Sequence, residues 1–188
     1  MKQATINDSI EISGVGLFSG EKVNLRLSPA DIDAGITFSV NGNKVSATYN
    51  NIVSTDRRTI IGNESVQIHT VEHLLAAFYI KGITNVIVEM DNYEPPILDG
   101  SSKGFIKAIN KVGVKDQDKE ISPIVINKKI EYDVPSKDTY IIALPYDGFK
   151  ITYITDYPTC DGILNEDFSV DVLFGGNDNE SEIAWART

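Results

Sequence analysis

His69-Thr70-Val71-Glu72-His73-Leu74-Leu75-Ala76-Ala77-Phe78-Tyr79-Ile80-Lys81-Gly82 is the most helix-like stretch of this chain. His73, Leu74, Ala77, Phe78 and Lys81 recur at helical spacing. Thr70 stands where an N-cap belongs, and Gly82 is a stop signal. The spacing predicts a helix from Thr70 to about Lys81. On a helix, positions four apart share a face, so His69 and His73 would address one point, with Glu72 beside His73. Neutral imidazole binds Zn²⁺, a bound metal lowers the pKa of its water to about 7, and a carboxylate takes the proton. Residues 69–73 match the H-x-x-E-H pattern of inverzincins. The bland alternative is a solvated histidine at a helix start, next to a glutamate favoured by the N-terminal dipole. A protease of the inverzincin kind needs a third ligand on a later helix, and few downstream carboxylates lie on one.

Outward from this helix, the first half reads as strands followed by helices. Ala4 to Ile12 alternates loosely, and Gly14-Val15-Gly16-Leu17-Phe18-Ser19-Gly20 is a glycine-punctuated turn. Val23 to Leu27 alternates as a half-buried strand does. Ile36 to Val40, the Asn41-Gly42 turn and Lys44 to Tyr49 read as a hairpin. Thr59 to Ile61 and Val86 to Met90 are short strands. Glu94-Pro95-Pro96 forces an extended turn. Asp99-Gly100-Ser101 reads as a turn and helix cap opening a second helix, with Phe105, Ile106 and Ile109 spaced for one face. The glycine spacing of residues 14–20 is wrong for a dinucleotide loop, and a strand follows it.

A polar stretch near Gln117 to Pro123 marks a boundary, after which the pattern restarts. Ile124 to Ile126, Tyr140 to Leu144, Lys150 to Ile154 and Phe168 to Leu173 read as strands, and Gly175-Gly176-Asn177 as a turn. Asp156, Asp161, Glu166 and Asp167 read as a solvated acidic loop. Phe105 and Trp185 read as core residues. Ser181 begins a helical segment through Glu182 to Ala186. A helix this short is marginal by itself, so the sequence reads as truncated, with second-half strands left uncovered.

The 188 residues allow one or two domains, and a formal charge of −10 with no basic stripe argues against nucleic-acid binding. The single cysteine, Cys160, can form no internal disulfide, which fits a reducing, cytoplasmic compartment. Met1 to Thr5 leads into a strand pattern rather than the apolar core of a signal peptide. The longest apolar run, Leu74 to Ile80, is far short of the roughly 20 residues that span a bilayer.

Four segments occur in an order that carries a family resemblance: residues 14–20, Thr70-Val71-Glu72-His73-Leu74-Leu75-Ala76-Ala77, Glu94-Pro95-Pro96-Ile97-Leu98-Asp99-Gly100-Ser101, and Ala186-Arg187-Thr188. Across its whole length the chain resembles the UDP-3-O-acyl-N-acetylglucosamine deacetylases, zinc amide hydrolases of lipid A biosynthesis. The resemblance implies an α+β fold of two similar sheet-on-helix domains with the active site between them: residues 1–120, and residues 121–188 as an incomplete second domain. It implies His73 as a zinc ligand, Glu72 as the general base and Thr188 as a stabiliser of the oxyanion. It further implies a UDP-linked, acylated glucosamine substrate, release of acetate, a cytoplasmic location, and peripheral membrane contact through the acyl chain. Phe18 departs from the family, which usually has histidine there. The family's other two zinc ligands, a histidine and an aspartate on one helix, and a later histidine acting as general acid, would lie beyond Thr188. His69 is not a family ligand position. The expectation is therefore that these residues alone are inactive and prone to associate. A rival reading is a short, non-catalytic relative that binds a nucleotide sugar or a protein partner. A third has two chains complete one site together.

Overall fold

A computed structural model describes residues 1–155, 166–172, 174 and 183–187. They group into two compact units: Met1–Ile121 with the described residues from Phe174 onward, and the described residues from Ser122 to Val172. Cys160, Asp156, Asp161, the turn at 175–177, Ser181, Glu182 and Thr188 lie outside the described residues.

The first unit opens with β1 (Lys2–Ile6), β2 (Ile10–Val15), β3 (Lys22–Pro29), β4 (Ile36–Val40) and β5 (Asn43–Ser46). It continues with β6 (Ile52–Ser54), β7 (Ile60–Gly62), β8 (Gln67–His69), α1 (Glu72–Ile80), β9 (Val86–Met90), α2 (Lys103–Val112) and β10 (Val114–Glu120). A five-stranded sheet runs in the order β2-β3-β9-β4-β5. Its β9 is antiparallel to β3 and parallel to β4. Alternation decides its faces: Val23, Leu25 and Leu27 are buried while Asn24 and Arg26 between them are exposed. Phe38, Val40, Val86 and Val88 join that core, with Leu74, Ala77 and Phe78 of α1 and Phe105, Ile106 and Ile109 of α2. Full burial of such a side chain contributes about 1.5–3 kcal/mol. The described chain is thus α+β, with two α-helices and several small sheets.

Helix α1 ends where its sequence says it should. Gly82 has a φ of 68°, a left-handed conformation that glycine adopts freely. From there the Gly82 N–H donates to the Tyr79 carbonyl (3.0 Å) and the Ile83 N–H to the Phe78 carbonyl (2.9 Å), the paired bonds of a Schellman stop.

The start of α1 departs from expectation. Thr70 is not the N-cap: the capping position is Val71, with no side-chain cap bond, and the helix begins at Glu72. Thr70 has a left-handed φ of 52°, and its hydroxyl is engaged by another segment, described below. His69 belongs to β8, where it pairs with Ile60 of β7. A strand residue followed by a left-handed one cannot share a helical face with His73, so the two-histidine helical site does not form.

Tertiary pairing also makes strands where the sequence lacks an alternating signal. The mostly polar β10 pairs antiparallel with β1, including Lys2 opposite Glu120 and Ile6 opposite Val114. The Met1 ammonium meets Glu120 at 2.8 Å and Lys2 meets Asp118 at 3.3 Å. Gln117 accepts a bond from Asn85 Nδ2 (2.6 Å) and donates one to the Ala30 carbonyl (2.8 Å).

The second unit holds two antiparallel ribbons: β11 (Ile130–Val134) with β12 (Thr139–Ala143), and β13 (Lys150–Thr155) with β14 (Glu166–Asp171). Residues 124–126, expected as a strand, are not one; Ile124 is 93% exposed. Glu166 and Asp167 lie in β14 rather than in a loop. Residues 183–185 form a turn, and Trp185, expected in the core, is 57% exposed.

Candidate functional site

Glu72 and His73 open α1, and both are half-buried. The Thr59 N–H donates to Glu72 Oε1, tying the loop before β7 to the helix start. Glu72 Oε2 is buried and accepts no hydrogen bond among the described residues. Glu72 lies in the first turn of α1, where the helix dipole favours a negative charge. The His73 carbonyl accepts a bond from Ser102 Oγ (2.9 Å), which joins the start of α1 to the residue capping α2.

A second carboxylate organises the surroundings. Glu94 is 3% exposed and receives three donors. These are the Thr70 hydroxyl (2.6 Å to Oε1), the Ser19 N–H (2.8 Å to Oε2) and the Phe18 N–H (3.1 and 3.2 Å to the two oxygens). Burial by itself pushes its pKa up. The bonds from Thr70, Ser19 and Phe18 outweigh that, and the carboxyl stands below its ordinary value. Gly16 permits this approach: a Cβ there would lie 2.3 Å from Ser19 Oγ and 2.4 Å from Glu94 Oε2. The sequence had shown Glu94 only as the first residue of an extended turn. Its signal is a carboxylate inside an apolar, proline-rich run, a place where a charge must find partners.

Phe18 sits in the same turn with its ring half-exposed, and the Arg58 guanidinium lies over it, 4.2 Å from the centroid. Arg58 Nε is buried and has no hydrogen-bond partner among the described residues. A cation therefore covers the ring that stands where histidine was expected. The His69 imidazole lies within reach of these charges. Burial, and then the charge of Arg58, hold its pKa below the usual value against the opposing pull of Glu94.

Thr188 lies outside the described residues, but the residues before it are placed. Ala184 is buried in the first unit's core, Lys103 Nζ sits 3.6 Å from the Trp185 ring centroid, and Arg187 meets Asp99 at 3.8 Å. Asp99 accepts from the Ser101 hydroxyl (2.7 Å) and N–H (3.2 Å) at the entry to α2. The Ser101 hydroxyl, followed by the Ser101 N–H and then the charge of Arg187, keeps the Asp99 carboxyl below its usual range.

A catalytic zinc site takes three protein ligands and one open position. Among the described residues, no group of three or more His, Cys, Asp or Glu side chains could hold a metal ion. Glu72 and His73 suit part of such a centre, an open acceptor beside an imidazole, but the described residues do not fit a complete one. No helix among them is long and apolar enough to cross a membrane.

The LpxC family model, described as UDP-3-O-acyl N-acetylglycosamine deacetylase, matches residues 3–188. A UDP-3-O-acyl-N-acetylglucosamine deacetylase of Thermodesulfovibrio yellowstonii is 38% identical over 99% of this chain and 63% of its own length. One of Solibacter usitatus is 35% identical over 99% of this chain and 62% of its own length. One of Aliarcobacter butzleri is 43% identical over 70% of this chain and 44% of its own. The chain thus spans less than two thirds of the length of these relatives.

Proposed function

This chain belongs to the UDP-3-O-acyl N-acetylglycosamine deacetylase family, and from that premise we propose that its protein hydrolyses the N-acetyl group of a UDP-linked, 3-O-acylated N-acetylglucosamine in lipid A biosynthesis. The observation that carries this reading is the buried Glu72 Oε2, at the head of α1 and beside His73; this oxygen accepts no hydrogen bond among the described residues. In the reaction, water attacks the acetamide carbonyl while Glu72 Oε2 accepts its proton. As the tetrahedral intermediate collapses, Glu72 passes that proton to the departing nitrogen, the C–N bond breaks, and acetate and a protonated sugar amine leave. General base catalysis of this kind contributes about 10²–10⁴-fold. Thr188 is assigned to the developing oxyanion, where a fixed donor acts most strongly.

Zinc belongs to this proposal as the Lewis acid of the complete centre, with His73 as one ligand and the others from sequence outside these 188 residues. The same reading takes residues 1–120 and 121–188 as parts of two similar sheet-on-helix domains. It assigns a cytoplasmic location, with peripheral membrane contact through the acyl chain of the substrate.

A deacetylase assay with added zinc tests the proposal. The 188-residue chain is expected to show no turnover, whereas a chain carrying the remaining ligands hydrolyses the substrate. Glu72→Gln in that longer chain is expected to lower kcat about 10²–10⁴-fold. Turnover by the 188 residues alone at the rate of the longer chain, or an undiminished Glu72→Gln, would sink the reading.

A further inference from the structure

We propose that Glu94 is the positioning residue of the Glu72–His73 pair: its buried carboxylate clamps Thr70 to the Phe18-Ser19 turn and so sets the direction in which α1 starts. The inference rests on the proposed roles of Glu72 and His73.

Five observations converge on it. Helix α1 has no side-chain cap, so its first turn is oriented by other segments of the chain, Thr59 and Ser102 among them. Thr70, two residues before Glu72, is left-handed at φ 52°. A β-branched residue there costs about 1–3 kcal/mol and persists only where the surroundings over-determine it. The bond from the Thr70 hydroxyl to Glu94 is short and buried, and it turns a capping-type side chain away from the helix. The chain just before it is held by the same segment, because the His69 N–H donates to the Tyr93 carbonyl at 2.9 Å. Glu94 is in turn held from the far side by Phe18 and Ser19, and Ile97 is tied to Val15 by a 2.9 Å backbone bond. A carboxylate is costly to bury. One placed between the glycine-rich turn and the residue that launches the helix transmits the position of the first to the second.

A purely structural carboxylate would change only stability, so the test reads the geometry at His73. The chain has two histidines, which makes its imidazole NMR spectrum simple to assign. Ring signals are compared in the wild type, Glu94→Gln, Thr70→Val, Thr70→Ser and the core control Ile109→Val, each verified as folded by its amide dispersion. The His73 ring signals are expected to move in Glu94→Gln and Thr70→Val, and to return to wild-type values in Thr70→Ser, which restores the hydroxyl. Unmoved His73 signals in Thr70→Val, or an equal shift in Ile109→Val, overturn the proposal. If Glu94→Gln fails to fold, Thr70→Val decides alone. The readout uses neither zinc nor substrate, so a failed deacetylase assay leaves it standing, and a failed shift leaves the hydrolytic reading untouched.

Discussion

Gly16 has no room for a side chain, because Ser19 Oγ and Glu94 Oε2 occupy the space a Cβ would take. Gly16→Ala is expected to destabilise by about 1–3 kcal/mol, the usual range for overpacking, measured as a lower urea midpoint at unchanged m-value. An unshifted midpoint would mean the turn relaxes freely. Glu94 adds a pH dependence. Its hydrogen bonds outweigh the penalty of burial and depress its folded pKa. A carboxyl of that kind contributes stability above its unfolded value of about 4.3 and loses the contribution as pH falls through the folded value. The thermal midpoints of wild type and Glu94→Gln are therefore expected to converge on acidification, and parallel curves would count against this. The place of Glu72 at the head of a helix was legible in the sequence because the residue stands beside a histidine at the start of an apolar helical run. The role of Glu94 was not, since its partners Thr70 and Phe18 lie 24 and 76 residues away along the chain.

At the scale of elements, α1 depends on its buried stripe and its glycine stop. Leu74, 1% exposed, is expected to cost about 2–5 kcal/mol as Leu74→Ala, read by chemical denaturation. Gly82→Ala places a Cβ in a left-handed conformation and is expected to cost about 1–2 kcal/mol, read as a lower thermal midpoint. The body and end of this helix were visible in the spacing of His73, Leu74, Ala77, Phe78 and Lys81, and in Gly82. Its beginning was not, because Thr70 as a cap and Thr70 as a partner of Glu94 look alike in sequence. His69 was misassigned for another reason: β8 is three residues long, too short for its alternation to be seen. The β10 strand was hidden differently, since its mostly polar residues become a strand only through pairing with β1.

Across the whole molecule, apolar exposure is concentrated in the second unit. Tyr132, Ile141, Leu144, Tyr153 and Ile154 are each more than half exposed. Apolar surface on this scale promotes association. Sedimentation of the 188-residue chain is expected to show concentration-dependent self-association, and a monomer at high concentration would refute that. The sequence by itself determined the class of fold and the family, because periodicity, turn residues and four ordered segments are local properties that chain order preserves. It also singled out Glu72 and His73, adjacent residues on one helical turn. Only the tertiary structure decided that His69 belongs to a strand, that Arg58 covers Phe18, and that Glu94 joins the glycine-rich turn to Thr70. Those outcomes depend on which distant backbone donors and side chains meet a buried charge, and such meetings are settled when the sheets and helices pack.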